Sequence, residues 1–457
     1  MFQVAIVIGI GSGFLLEWRQ NTPAPVAPQP RLFDILPAGR DIWDMLLTRN
    51  RNYRLLFSAT AVSNLGDGIS ALAFPWLATL LTRDPLLIGL VAAAGKLPWL
   101  LFAIPAGAIT DRADRRALMV RADVFRLLLT VGVIALILST PALPLVGSAL
   151  PYVLALSGLA FLLGAAEVLR DNAAQTVLPS IVPKTDLENA NGQLWSVEQI
   201  TGQFIGPPVA GFLIALAIPL PFGVDAVTFA LAAWLVWCIA LPKRPPRTAT
   251  TSLRAEMAEG WAWMKAHPLI LQLALMLGVV NFVSIMGLTI LVLYSQEILG
   301  LGAAGHGILL TAGAAGGVVG GLICPPLVKR LGAQRGIWLA MALFPLPFVT
   351  MWLTSNPWIV AIALFVEMIG ALQWNVITVS LRQRVIPDEL LGRVNSLYRF
   401  FGWGAMPLGA FAGGALVALL EPGFGREAAL RGVYLIAALG MGAMFAYGLA
   451  RLRLPAS

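Results

Sequence analysis

The sequence predicts an all-α membrane protein that crosses the bilayer twelve times. Three observations lead there. Charged residues make up only 12% of the chain, about half the usual share, so they are too few to coat a water-soluble surface of this size. Apolar residues gather into long runs, and about 20 residues suffice to cross the hydrocarbon as a helix. The runs recur at regular spacing, with breaks that carry proline, glycine or charge.

Taken in order, residues 1–16 are apolar but too short to span, and no Lys or Arg precedes them as a signal peptide requires. Gly9, Gly11 and Gly13 are not a nucleotide loop, because no strand–helix–strand pattern follows. Residues 22–30 form a proline-rich linker, so 1–50 reads as a peripheral, cytoplasmic tail. Spans are expected near 55–81, 86–109, 118–140, 146–169, 195–217, 222–241, 269–294, 304–328, 335–354, 358–380, 396–420 and 430–450. The breaks include Arg83-Asp84-Pro85, Pro141 to Pro144, Pro183, Pro219, Ser355-Asn356-Pro357, Pro387 and Pro422.

Lys and Arg accumulate on one side of this pattern, among them Arg112, Arg115, Arg116, Lys243, Arg244, Lys329, Arg330, Arg382, Arg384 and Arg451. The other side holds Arg83, Arg426 and Arg431. The positive-inside rule therefore puts both termini in the cytoplasm of a cell expected to carry this chain in its inner membrane. Net charge +8 is spread over these short loops, so nucleic acid is not an expected partner.

Residues 242–268 are the longest internal connection and divide 51–241 from 269–457, six spans each. Leu253, Met257, Trp261 and Met264 recur there at helical spacing. They predict either an amphipathic helix on the membrane surface or one packed on the bundle. The two halves share a pattern: Pro183-x₃-Leu187-x₃-Asn191 precedes the fifth span and Pro387-x₃-Leu391-x₃-Asn395 the eleventh. Repeated six-helix halves with a site between them are a common transporter plan.

Chemistry other than transport finds little support. Cys238 and Cys324 lie in apolar runs and read as packing residues. His267 and His306 stand alone, so no metal and no cofactor is expected. Neither a P-loop nor a hydrolase nucleophile pattern occurs, so the chain does not read as an enzyme.

Three ionisable residues fall near the middle of their spans. Asp67 is 13 residues from Arg54, Lys96 is 11 beyond Pro85, and Glu367 is 10 beyond Pro357. A charge at that depth costs about 3 kcal/mol on insertion scales and needs a partner, water or a role. Two readings compete. Asp67, Lys96 and Glu367 line a central cavity in which Asp67 or Glu367 binds and releases a proton, or Asp67 and Lys96 form a structural ion pair. Asn281, Gln373 and Asn375 are weaker candidates for the cavity, with inter-helix hydrogen bonds as the alternative. Asp123, Arg126, Glu167 and Arg170 are read as gate charges nearer the inner face.

The tight turn between the second and third spans runs Gly107-Ala-Ile109-Thr-Asp111-Arg112-Ala-Asp114-Arg115-Arg116. On residue types alone it is a positive cytoplasmic anchor. It also resembles the motif G-x-L-x-D-R-x-G-R-R of the major facilitator superfamily, with Asp114 replacing the second glycine. Aspartate tolerates a left-handed turn better than most residues, so the turn is expected to survive the change. The resemblance covers about 50–453. It implies the major facilitator fold of twelve helices in two pseudo-symmetric halves, and a gating relay in which Asp111 meets Arg170. In the fifth span Gly202-x₃-Gly206-Pro207-x₂-Ala210-Gly211 is similar to the family's antiporter motif G-x₃-G-P-x₂-G-G. Asn64-Leu-Gly66-Asp67-Gly68 and Pro387 to Asn395 resemble the branch that holds the enterobactin exporter and the tetracycline- and macrolide-type drug pumps.

Together these imply a monomeric exporter of amphiphilic small molecules, driven by inward proton flow, whose partners are the lipid bilayer, its substrate and protons. Nutrient or lipid transport on the same fold, or a membrane scaffold that does not transport, are the alternatives.

Overall fold

The computed structural model describes residues 46–241 and 253–455, so 1–45 of the expected tail, with the proline-rich linker, and 242–252 of the inter-half connection lie outside the described residues. The described chain is helical. In order the helices are α1 (Arg51–Leu81), α2 (Pro85–Arg112), α3 (Arg115–Ser139), α4 (Leu150–Ile181), α5 (Leu187–Glu198), α6 (Gly206–Leu216), α7 (Leu220–Trp237) and α8 (Leu253–Ala266). There follow α9 (Pro268–Glu297), α10 (Ala303–Leu331), α11 (Ala333–Leu343), α12 (Leu346–Leu353), α13 (Pro357–Val385), α14 (Asp388–Gly404), α15 (Met406–Phe424) and α16 (Arg426–Arg451).

The starts of these helices are written into the sequence. Asp84 and Asn356 accept hydrogen bonds from the Leu86 and Trp358 amides, and the proline after each supplies the fixed φ of a first helical residue. Asp114 corrects an expectation. It is extended (φ −66°, ψ 109°) and caps α3 by accepting from the Ala117 amide, so the motif turn needs no left-handed residue there.

Among the described residues, eleven helices or helix pairs are long and apolar enough to cross a membrane. Helix α1 is not one of them although it has 31 residues, because Asn52, Arg54, Ser63, Asn64, Asp67 and Ser70 dilute its apolarity. Three boundaries differ most from expectation: α4 runs on to Ile181, the fifth span begins at Leu187, and the eleventh begins at Asp388. Backbone hydrogen bonding continues past the apolar run, which sequence hydropathy does not register.

Three spans are broken at proline. Between α5 and α6 lies a seven-residue π-helix, Gln199–Ile205, in which the Gly206 amide bonds to the Thr201 carbonyl. Pro207 and Pro208 have no amide to give to the Gln203 and Phe204 carbonyls, so the α ladder cannot continue there. Pro347 and Pro407 likewise follow the α11–α12 and α14–α15 breaks.

Lipid tails are as apolar as leucine, so packing in the bilayer rests on close backbone approach. Helix α2 lies against α4 and α15, α1 against α7 and α6, and α10 against α13 and α6. Glycines mark these seams. A Cβ on Gly206 would sit 2.6 Å from the Gly68 Cα, and one on Gly307 2.5 Å from the Pro207 carbonyl oxygen. One on Gly89 would sit 3.2 Å from the Gly414 Cα.

Helix α8 packs on the bundle. Met264 is buried, Glu259 pairs with Arg393 of α14 at 2.5 Å, and the Trp261 ring lies 5.8 Å from that of Phe401.

Candidate functional site

The first seven helices bring a group of charges together halfway along α1. Asp67 is 16 residues from Arg51, about 24 Å along the helix axis. Arg126 of α3, 11 residues from Arg115, reaches the same level and pairs with Asp67. Arg126 also donates to the Ser63 hydroxyl at 3.2 Å, approaches Asp123 at 3.7 Å, and lies 4.0 Å over the Phe229 ring of α7. Asp123 is fully buried and takes a second contact, 3.3 Å, from Arg170 of α4. Arg170 in turn contacts Asp171 at 3.5 Å and the Ala59 carbonyl at 3.4 Å. The chain Asp67–Arg126–Asp123–Arg170–Asp171 thus ties α1, α3 and α4 by alternating charge. Alternation is what a poorly solvated site demands, since an unpaired charge there costs several kcal/mol.

The expected Asp67–Lys96 pair is not formed, because Arg126 occupies Asp67. Lys96 has no ion-pair partner among the described residues, and it is exposed on α2. It lies one turn before Trp99 and Leu100, which meet Trp403 and Gly404 of α14. Residues a turn apart share a helix face, so Lys96 looks toward the gap between the two sets of helices. Lys96, Asp67, Arg126 and Asp171 all lie near enough to Glu167 of α4 to act on its charge. Asp67 and Lys96 therefore share a neighbourhood.

Glu367 does not join them. It is half-buried in α13 with no hydrogen-bond or ion-pair partner among the described residues. Phe365 and Ile369 of α13 meet Gly316 and Gly320 of α10, so 100° per residue places Glu367 on the opposite side, with Gly370 and Trp374 against α11.

The amide candidates are spent elsewhere. Asn281 donates to the Gly402 carbonyl at 2.9 Å, and the buried Gln373 donates to the Gly336 carbonyl at 2.8 Å. Both are inter-helix ties, the alternative that the sequence left open for them. Asn375 is exposed and donates to Ala371 of its own helix at 3.2 Å.

In the motif turn, the side chains of Asp111 and Arg112 and the surroundings of Gly107 lie outside what is described, and with them the Asp111–Arg170 relay. Arg115 and Arg116 are seen to donate to the carbonyls of Thr176 in α4 and Ile239 just past α7, at 2.9 and 3.1 Å. The turn so fastens α3 near the carbonyl ends of two helices, where positive charge is favoured. The residues of the antiporter-type motif lie in close helix contacts. Gly202 and Gly206 admit Gly68 of α1, while Pro207 and Gly211 meet Gly307 and Ala303 of α10.

Two features went unread in the sequence. One is Asp225 of α7, fully buried against α1, where Gly66 leaves room for its carboxylate. The Ser70 hydroxyl donates to it at 2.6 Å. A lone aspartate a few residues into a span looks like a helix-end residue, and nothing local pairs it with Ser70. The other is a latch at the end of the bundle opposite the motif turn. Arg426 donates to Glu297 at 2.9 and 3.1 Å, to Glu421 at 2.8 Å and to the Arg83 carbonyl at 2.9 Å. Arg83 donates to Gln296 at 2.5 Å, and Gln296 donates to Thr79 at 2.9 Å.

The fold and site now stand beside known proteins. The family described as transmembrane secretion effector, of the major facilitator class, matches residues 46–455. The enterobactin exporter EntS of Shigella boydii serotype 4 (strain Sb227) is 26% identical, over 86% of this chain and 92% of its own. A bacterial homologue of the iron transporter ferroportin in its inward-facing state superposes with TM-score 0.66 at 17% identity, covering 86% of this chain and 98% of that one. The same description in an outward-facing state gives 0.58 at 20% identity, covering 88% and 100%. The chain thus belongs to the transmembrane secretion effector family of the major facilitator superfamily: it is a multi-pass membrane transporter of small molecules, related distantly to EntS, and not an enzyme.

Proposed function

We propose that this protein exports amphiphilic small molecules in exchange for protons, and that Asp67 is the carboxylate that binds the coupling proton. The observation that carries this reading is the Asp67–Arg126 pair. It joins two helices at mid-depth, with the arginine buried and the aspartate open on one side. Protonating Asp67 removes the attraction and leaves Arg126 to its other neighbours, so one proton changes how α1 and α3 hold each other. A membrane scaffold has no need of such a group. Lys96, facing the gap between the helix sets, is placed to meet the substrate or to steady Glu167.

Export rather than uptake is supported by the family's description and by the named activity of the EntS relative. On this reading α1 completes twelve spans, the six-helix halves 51–241 and 269–457 pack as pseudo-symmetric units, and both termini face the cytoplasm. The latch and the glycine seams α2–α15 and α6–α10 then close the outer face. The better superposition on the inward-facing ferroportin homologue agrees with that state.

The test is transport into everted vesicles of a panel of fluorescent dyes, tetracycline- and macrolide-type antibiotics and catecholate siderophores, with and without a proton uncoupler. Accumulation that the uncoupler abolishes is expected. Accumulation that persists unchanged would remove the proton from the mechanism.

A further inference from the structure

Asp225 is a fully buried carboxylate that no ion pair explains. Helix α7 packs against α1, α3 and α6. From α1 the groups bearing on Asp225 are Asp67 and the Ser70 hydroxyl; from α3 it is Arg126; α6 carries no ionisable side chain. Within α7, Thr228 donates to the Asp225 carbonyl at 2.7 Å, with its hydroxyl 3.4 Å from the carboxylate. Two hydroxyls are poor compensation for a full negative charge taken out of water, whereas a neutral carboxyl there needs little more. Among the described residues Arg126 is the cation that bears on Asp225, and it is engaged with Asp67. Its guanidinium nevertheless rests on Phe229, one turn from Asp225 on the same face of α7.

We propose that Asp225 is a second proton-carrying carboxylate that shares Arg126 with Asp67, each being charged only while the arginine serves it. In the arrangement seen, Arg126 is paired with Asp67 while Asp225 is buried against the Ser70 hydroxyl; on this proposal Asp225 carries the proton there. When a proton binds Asp67, its pair with Arg126 is lost, and the guanidinium swings along the Phe229 face to Asp225. The Asp225 O–H then gives its proton to water, and the new carboxylate pairs with Arg126. One proton enters and one leaves, so the net charge of the buried cluster does not change. Ser70 lies three residues after Asp67 on α1, so a hydrogen bond from that helix to Asp225 follows any movement of Asp67.

This rests on the proton-coupled reading above, but its test needs no substrate. Infrared difference spectra of the purified full chain in lipid nanodiscs, taken in H2O and D2O at neutral pH, report protonated buried carboxyls by their C=O stretch. Glu167 and Glu367 are further carboxyls within the spans, so the part of this band owed to Asp225 is expected in the wild type and missing from Asp225→Asn. It should also be lost in Asp67→Asn, where Asp225 is intact but Arg126 has been freed to ionise it. Ser70→Ala should keep the band and shift it to higher frequency, because one hydrogen bond is removed. A band that Asp225→Asn does not diminish, or that Asp67→Asn leaves untouched, overturns the proposal. If Asp225→Asn does not fold, the Asp67→Asn and Ser70→Ala spectra still decide. Uncoupler-insensitive transport would sink the proton drive and leave these spectra as they are. Loss of the expected spectra would sink Asp225 and leave the drive.

Discussion

Arg126 and Asp67 meet across α3 and α1 with unequal access to solvent: the arginine side chain is 3% exposed and the aspartate 28%. A proton can therefore reach the acid without the base being hydrated. Asp67→Asn should abolish uncoupler-sensitive accumulation in everted vesicles, a loss of about tenfold for each 1.4 kcal/mol of coupling removed. Because the variant keeps shape and some hydrogen bonding, the protein should still elute as a single folded species on size exclusion. Normal pumping by Asp67→Asn would overturn the assignment.

Arg126 carries a structural burden that Asp67 does not. Removing it leaves Asp67 and Asp123 facing each other in a buried site, and breaking a buried pair from one side costs about 3–5 kcal/mol. Arg126→Ala should unfold at a markedly lower temperature in detergent than Arg126→Lys, which keeps the charge while losing the fork that reaches Ser63 and Asp67 together. Equal melting of the two variants would show that the charge is not what holds α1 to α3.

The seam between α1 and the fifth span tolerates no side chain. A Cβ on Gly206 would lie 2.6 Å from the Gly68 backbone, and one on Gly68 2.8 Å from the Gly202 carbonyl carbon. Gly68→Ala and Gly206→Ala should each cost about 1–3 kcal/mol through forced backbone shifts. Gly158→Ala in α4, where nothing lies within 4 Å, should be neutral or slightly stabilising, since alanine favours helix over glycine by up to about 1 kcal/mol. Thermal unfolding of the three variants makes the comparison.

What was legible in the sequence followed from periodicity and depth. The spans, the breaks at Asp84-Pro85 and Asn356-Pro357, and the mid-depth position of Asp67 needed only residue counting. The partner of Asp67 did not follow from counting. Lys96 and Arg126 sit at comparable depths, and choosing between them requires knowing that α7 packs against both α1 and α3, so that Arg126 reaches Asp67 across the Phe229 ring. Asp225 was missed for a related reason: its significance comes from Ser70 and Gly66, more than 150 residues away. Gln373 and Asn281 show the converse, polar groups at suggestive depth whose amides are consumed by carbonyls of neighbouring helices.

The latch invites a charge-reversal test. Single exposed ion pairs contribute about 0–1 kcal/mol, but Arg426 gathers Glu297, Glu421 and the Arg83 carbonyl at once. Glu297→Arg should loosen this end of the bundle and raise the labelling rate of a cysteine introduced at Gln296 by a membrane-impermeant maleimide. Adding Arg426→Glu should return the rate toward that of the parent. A rate unmoved by either change would show that the glycine seams alone keep this end closed.

Glu367 provides the sharpest contrast with Asp67, because both are mid-depth acids and only one has a cation to release. An acid with no partner changes little around it when it gains a proton: no ion pair is broken and no neighbour is freed to move. It also stands on the side of α13 that faces α11, away from α10. Glu367→Gln should therefore retain uncoupler-sensitive transport within about twofold of the parent, as expected for a change worth less than 0.5 kcal/mol. It should melt at the same temperature or higher, since the amide carries no charge to bury. The decisive comparison is the pH dependence of transport in Asp67→Asn and Glu367→Gln vesicles side by side. Coupling through Asp67 flattens the profile only in the first. If Glu367→Gln flattens it instead, the proton path runs through the C-terminal helices, and the Asp67–Arg126 pair is structural.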